Sequence, residues 1–252
     1  MEKEKDALSA IIGWVEASRD IVFLTGPELI FESGILDASE PSFNPDIRKF
    51  KNSIEIREDY WERIKGFYPG ITTATPTPCH EAIYEISLLS NVTCIMTQNV
   101  DGLHQKAGNE NVLELYASIH WVTCPDCGKD HTMNETLSQL EKGKKIPVCT
   151  ECSSDVMKPP ISFPNQPLPH WEIRESWIKL QHCDLLVRVG ANLEKEPVAS
   201  FPFQVMNRDD KVAIISESES PADEYVNAVL YGKPNKVMPY ISEQLKKLTP
   251  IS

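Results

Sequence analysis

Four cysteines carry the most specific chemistry in the chain. Cys124-Pro-Asp-Cys127 and Cys149-Thr-Glu-Cys152 are two Cys-x₂-Cys turns separated by 21 residues. Each turn sets two thiolates side by side, and two such turns complete a tetrahedron around Zn²⁺. Four thiolates fill the coordination shell and leave no place for water, so the ion this pattern predicts is structural, not catalytic. The intervening segment has little apolar content, and metal binding would supply much of its folding energy. His131 lies within it and, with four thiolates at hand, is expected at the surface. Cys79, Cys94 and Cys183 are scattered through apolar or strand-like stretches. Seven cysteines so distributed suit a reducing compartment rather than a disulfide framework.

The elements that must hold these residues alternate along the chain. Leu8, Ile11, Ile12 and Val15 share one face of a helix over residues 7–18. The run from Asp20 to Gly26 is short, apolar and rich in β-formers, as a buried parallel strand is. Similar runs span 92–97, 184–190 and 211–216, with helical stretches over 80–90, 171–181, 197–207 and 221–230. Strands alternating with helices predict an α/β fold: a Rossmann-like doubly wound parallel sheet with its ligand crevice at the strands' carboxyl ends. Two stretches break the alternation. Residues 37–79 are Pro-rich and read as an irregular, partly helical insertion, and residues 123–156 hold the four-Cys zinc module as a smaller lobe. Residues 1–36, 80–122 and 157–252 form the large domain.

Charge narrows the partners. The formal net charge of −12 excludes sequence-independent nucleic-acid binding, which needs clustered Lys and Arg. Lys142, Lys144 and Lys145 are the one notable basic cluster. No apolar run approaches the roughly 18 residues of a membrane span. The charged N-terminus resembles neither a secretory nor an organelle signal, so the expectation is an intracellular, cytoplasmic protein.

Beyond the cysteines, the chain resembles the sirtuins, NAD⁺-dependent protein-lysine deacylases, along nearly its whole length. The resemblance rests on Thr25-Gly26, on Glu32-Ser33-Gly34-Ile35-x-Asp37, and on the unbroken block Thr97-Gln98-Asn99-Val100-Asp101-Gly102-Leu103-His104-Gln105-Lys106-Ala107-Gly108. It continues through the paired cysteines and Gly190-Ala191-Asn192-Leu193, and Gly232–Ile241 resembles the family's closing strand. The resemblance implies NAD⁺ and an acyl-lysine peptide meeting between a Rossmann-like domain and a small zinc lobe. It further implies acyl transfer to the nicotinamide ribose, nicotinamide release, and a His as general base. Gly26, Gln98, Asn99, Asp101 and Gly190 would then bind the cofactor. His104 reads as a fold residue.

The sequence departs from that pattern where the chemistry is done. The family's Gly-Ala-Gly-x-Ser phosphate loop reads Gly26-Pro27-Glu28-Leu29-Ile30. Pro27 lacks an N–H, and Glu28 sets a carboxylate where backbone N–H groups should meet diphosphate. A carboxylate about 4 Å from a phosphate is repelled by roughly 4 kcal/mol at an effective dielectric of 20. Pro-Asp-Phe-Arg becomes Leu36-Asp37-Ala38-Ser39. Glu-Leu-His-Gly-Ser becomes Glu114-Leu115-Tyr116-Ala117-Ser118, so Tyr116 stands at the position of the catalytic base. A free phenol, with a pKa of about 10, is ionised in roughly one molecule in a thousand at neutral pH. His120, about 13 Å further along an extended chain, is no substitute. Gly-Thr-Ser reads Gly190-Ala191-Asn192, Ile-Asn reads Ile215-Ser216, and the peptide-clamping Phe-Gly-Glu reads Phe163-Pro164-Asn165.

Losses on every side of the cleft point to a zinc-containing, sirtuin-like pseudoenzyme acting through protein or ligand binding. They count against NAD⁺ as a cofactor. The alternative is a divergent NAD⁺-dependent deacylase or an ADP-ribosyltransferase, releasing nicotinamide and using Gln98, Asn99 and Asp101. A protein partner is expected in either case; nucleic acid and membrane are not.

Overall fold

A computed structural model describes residues 2–30, 45–163 and 166–248. Glu32–Asp37, Leu36–Ser39, Pro164 and Asn165, invoked above, lie outside the described residues. Six strands form one parallel sheet: β1 (Ile21–Thr25), β2 (Val92–Thr97), β3 (Val112–Glu114), β6 (Leu185–Val189), β7 (Lys211–Ser216) and β8 (Ala228–Tyr231). Their order is β3-β2-β1-β6-β7-β8. The two central strands, IVFLT and LLVRV, are buried at every position, because helices cover both faces of the sheet. From β1 the chain steps outward through β2 to β3, then returns to β6 on the other side. The switch point of this doubly wound sheet therefore lies between β1 and β6, where an α/β fold opens its ligand crevice.

Helices α1 (Glu2–Ala17), α4 (Pro78–Leu89) and α9 (Pro234–Leu248) cover one face. Ile11, Val15, Ile83, Ile86, Met238, Ile241 and Leu245 make a core there with Phe23 and Val187. Helices α7 (His170–His182) and α8 (Phe201–Met206) cover the other, burying Leu180, Phe201 and Val205 against Leu24, Leu186 and Ile214.

A third core belongs to the small lobe. It joins α2 (Ile47–Asn52) and α3 (Ile54–Thr73) to the antiparallel pair β4 (Trp121–Thr123) and β5 (Asp130–Thr132) and to α6 (Met133–Glu141). Rings of Phe50, Tyr60 and Phe163 meet edge to face with centroids 5.3 to 5.4 Å apart. Ile119, Val122, Met157 and Phe163 share this core, so the chain on either side of the cysteine segment packs with it.

Two expectations need correction, and a third gains detail. The helical middle expected within residues 37–79 is one regular helix over Ile54–Thr73. Ser53 Oγ accepts from the Ile56 N–H at its start, and the buried row Tyr60, Trp61, Ile64, Phe67, Tyr68, Ile71 keeps helical spacing despite Pro69. Residues 221–230 are not a helix but turns leading into β8. Asp223 caps the Ser220 N–H, and Asn227 accepts from the Val212 N–H, which ties this stretch to the sheet edge. Residues 232–241 are not the closing strand. Pro234 opens α9, whose apolar positions 238, 241 and 245 recur at the helical period.

Candidate ligand crevice and metal centre

The lips of the switch-point crevice touch one another. A Cβ on Gly26 would lie 2.3 Å from Ala191 Cα, 2.6 Å from the Gly190 carbonyl oxygen and 2.7 Å from Gln98 Oε1. Only glycine permits that approach. Over the contact, Gln98 bridges from the end of β2 to the loop after β6: its Oε1 accepts from the Asn192 N–H (2.7 Å) and its Nε2 donates to the Asn192 carbonyl (2.7 Å). Asn99 Nδ2 donates to the Gly26 carbonyl at 3.2 Å.

Glu28 spans the crevice in the other direction. Its Oε1 accepts from Ser216 Oγ (2.8 Å) and its Oε2 from the Glu217 N–H (2.9 Å), both at the carboxyl end of β7. Gly190, at φ +56, leaves the room: a Cβ there would stand 2.6 Å from Glu28 Cβ. Beneath, Arg188 is buried, donating through Nε to the Ala191 carbonyl and through Nη1 to Ser220 Oγ, with Asp223 at 3.8 Å.

A diphosphate at such a site is held by free backbone N–H groups at the start of a helix. Here those groups already have partners. Gly26 N–H donates to Val189, Glu28 N–H to Gly190, Leu29 N–H to Gly26 and Ile30 N–H to Pro27, and Pro27 has none to offer. The residues present, in this arrangement, do not fit a dinucleotide's diphosphate.

The far wall is built by the turn after β2. Asp101 Oδ1 accepts from the Leu103 N–H (2.8 Å) and so caps α5 (Leu103–Lys106), while buried Oδ2 has no partner among the described residues. Burial pushes the pKa of Asp101 up. The Leu115 N–H donates to the Thr97 carbonyl, which extends the β2–β3 pairing up to the residue before Tyr116. Tyr116 is half-buried against the α7–α8 core, and burial raises its pKa further from neutrality. Ala117, next in line, holds φ +64, a left-handed position that costs a β-carbon-bearing residue about 1–2 kcal/mol. His120 is committed elsewhere: its ring lies 2.9 Å from the Asp101 carbonyl and 3.0 Å from Tyr68 Oη.

The four cysteines converge. Their sulfurs lie within 4.8 Å of one another, with Cys124–Cys152 at 3.5 Å and Cys127–Cys149 at 3.6 Å. A tetrahedron with Zn–S bonds of about 2.3 Å has edges of about 3.8 Å, so the donor set fits Zn²⁺. Each knuckle closes alike: the Gly128 N–H donates to Cys124 and the Ser153 N–H to Cys149, with both residues at positive φ. Backbone hydrogen bonds, that of Cys152 foremost, lower the pKa of the Cys149 thiol, while, against their own backbone hydrogen bonds, desolvation and contact among the sulfurs raise those of Cys127 and Cys152. His131 is not at the surface as expected. It is 6% exposed with Nε2 at 3.5 Å from Cys149 Sγ, because β5 turns it inward behind the cluster.

Comparison with known proteins accords with this architecture. The family model described as Sir2 family matches residues 31–197. The chain belongs to the Sir2 family. The match begins just past the Gly26–Ile30 loop. The NAD-dependent protein deacylase 2 of Archaeoglobus fulgidus is 34% identical over 240 residues, covering 92% of this chain and 93% of its own. A Sir2 enzyme solved for its mechanism and regulation superposes with a TM-score of 0.85 at 30% identity, over 97% of this chain and all of that one. A Sir2 His-to-Tyr mutant with a p53 peptide and NAD gives 0.83 at 26%, over 97% and 99%.

The chain is also bonded inward at Phe163, where the resemblance implies a peptide clamp. The Phe163 N–H donates to Gln166 Oε1 (3.0 Å), and the Phe163 carbonyl accepts from the Gln166 N–H (2.9 Å). Both backbone groups that an added strand would use at Phe163 are thereby taken. Lys158 fixes the approach, with Nζ 2.7 Å from the Pro159 and Ile161 carbonyls and 4.3 Å from the Phe163 ring centroid. Neither Gln166 nor Lys158 was legible as a site residue. Arg188 carried a signal, being the single charge within an otherwise apolar strand.

Proposed function

We propose that this sirtuin acts as a binding protein and does not turn over NAD⁺. The observation that supports the reading is Glu28: its carboxylate bridges the crevice to Ser216 and Glu217 while every N–H of the Gly26–Ile30 loop is spent within the protein. Tyr116 supports it less, since a relative changed from His to Tyr is solved with both peptide and NAD. The ligand is a protein segment, in keeping with the peptides bound to solved relatives, such as the propionylated peptide on one Sir2. The four cysteines hold a structural Zn²⁺ that stiffens the small lobe beside that surface.

A second reading is NAD⁺-dependent deacylation or ADP-ribosyl transfer. The comparisons favour this reading over the first: the relatives of Archaeoglobus fulgidus and Pyrobaculum aerophilum are named NAD-dependent protein deacylase and deacetylase. Asp101 also supports it, since its buried Oδ2 keeps an unused acceptor beside Gln98 and Asn99, as an amide-bearing ligand would require. Incubation of the zinc-loaded protein with NAD⁺ and acetyl-, propionyl- or myristoyl-lysine peptides separates the two. The first reading expects nicotinamide release at the rate of a protein-free blank. Release above the blank that is lost in Asp101→Asn establishes the second.

A further inference from the structure

Two buried histidines below the crevice are used by neither reading. His80, on α4, is 0% exposed and His104, on α5, is 1% exposed; their ring centroids are 4.6 Å apart in an edge-on arrangement. Each ring has one nitrogen engaged and one without a hydrogen bond among the described residues. The Thr77 N–H donates to His80 Nδ1 (3.2 Å), which fixes that nitrogen as an acceptor and places the ring's proton on Nε2. His80 Nε2 is the unpaired atom, a donor. In His104 the engaged nitrogen is Nε2, 2.9 Å from Thr25 Oγ1, and the unpaired one is Nδ1. The Thr25 hydroxyl lies 3.5 Å from the Met96 carbonyl; with its hydrogen turned to that carbonyl, it would receive from His104 Nε2–H and leave Nδ1 as an acceptor. One ring thus offers a spare donor and its neighbour a spare acceptor. The other His104 tautomer would leave both rings with a spare donor, and no acceptor between them, in a buried contact.

We propose that His80 and His104 form a matched, doubly neutral joint, each protonated on Nε2, which fastens α4 and α5 to the end of β1 and opens in acid. Its position gives it consequence. Thr25 is the last residue of β1 and precedes Gly26, the lip of the crevice, and Thr77 is the N-cap of α4. Protonating one ring would put a cation, and protonating both would put two, in a site where no anion answers them among the described residues. The groups around the rings are Thr25, Thr77 and one another. Of the charged neighbours in sequence, Glu81 on α4 is exposed, and Lys106 on α5 turns its Nζ to the Thr72 and Ala74 carbonyls. Burial lowers the pKa of His80 to about 4; burial, then the facing His80, lowers that of His104 as well. In the unfolded chain both take up protons near the free-histidine value of about 6.5. Between that value and about 4 the unfolded state binds more protons than the folded one, so stability falls as pH falls through this window.

The test is two-dimensional ¹⁵N NMR of the histidine rings in the intact, zinc-loaded protein from pH 8 to pH 5. Six histidines are few enough to resolve, and His80→Gln and His104→Gln identify the pair. The expected result is two rings in the Nε2–H form whose shifts stay constant while the protein remains folded. Either ring titrating near pH 6.5 in the folded protein, or His104 carrying its proton on Nδ1, overturns the proposal. Thermal midpoints between pH 6.5 and 4.5 give the second measurement. Each Gln variant should lose about half of the parent's acid dependence, and an unchanged slope in both contradicts the joint. Should the variants fail to fold, the native spectra decide alone.

Discussion

At the residue scale, side chains fill space or add charge where the Sir2 pattern leaves a gap. Glu28 was legible in the sequence as a misfit in a phosphate loop. Its partners were not, because Ser216 and Glu217 lie nearly two hundred residues away and meet it only once β1, β6 and β7 are laid side by side. Tyr116→His alone should therefore leave deacylation undetectable, since the carboxylate remains across the crevice; acyl-peptide turnover by that single variant, measured by mass spectrometry, would show the weighting of Glu28 to be wrong. Gly26→Ala should destabilise the fold by about 1–3 kcal/mol in denaturant unfolding, because a methyl group 2.3 Å from Ala191 Cα forces backbone apart. Ala117→Gly should do the opposite, raising stability by about 0.5–1 kcal/mol once strain relief is set against the added chain entropy of glycine. A midpoint unchanged or lowered by that substitution would mean that the left-handed conformation is not strained here.

At the element scale, sequence periodicity served where burial was uniform and failed where polar tethers decided. The four apolar runs that became β1, β2, β6 and β7 are buried on both faces, so their composition alone marks them. The stretch 221–230 has helical composition, but Asp223 and Asn227 spend their side chains on backbone N–H groups, Ser220 Oγ donates to the Asp223 carboxylate, and together they hold it as turns beside the sheet. The helical middle of 37–79 was legible but its regularity was not, since Pro69 lies inside a helix whose aromatic row supplies the small-lobe core, and Pro78 opens α4, where a missing N–H costs nothing. The cysteine pairs were legible because metal geometry dictates their spacing. That they lean on α3 through Val122, Met133 and Leu140 was not. Cys149→Ala, or stripping the metal with a chelator, should lower the thermal midpoint and expose the small-lobe aromatics to a fluorescent quencher. The far-ultraviolet signal of the main sheet should persist. Loss of all secondary structure would mean that the lobe and the sheet fold as one unit.

At the scale of the whole molecule, the Sir2 architecture is retained while its ligand-facing surfaces are bonded inward. Gln98 grips Asn192, Glu28 grips Ser216 and Glu217, and Gln166 covers the backbone of Phe163. The sheet, the switch point and the metal cluster were readable from spacing and composition, since each is a local pattern or a sum of local patterns. The inward bonding was not, because each of these contacts joins segments that only the finished fold brings together. Binding of a protein segment would have to displace Gln166 from Phe163 or use another surface, such as the open groove of about 630 Å³ lined by Leu168, Ile173, Arg174 and Trp177. The central claim is that the crevice excludes the dinucleotide, and calorimetric titration of the zinc-loaded native protein with NAD⁺ tests it most directly. The account expects no binding heat up to millimolar NAD⁺; a saturable isotherm of one NAD⁺ per chain, abolished by Gln98→Ala, would contradict it.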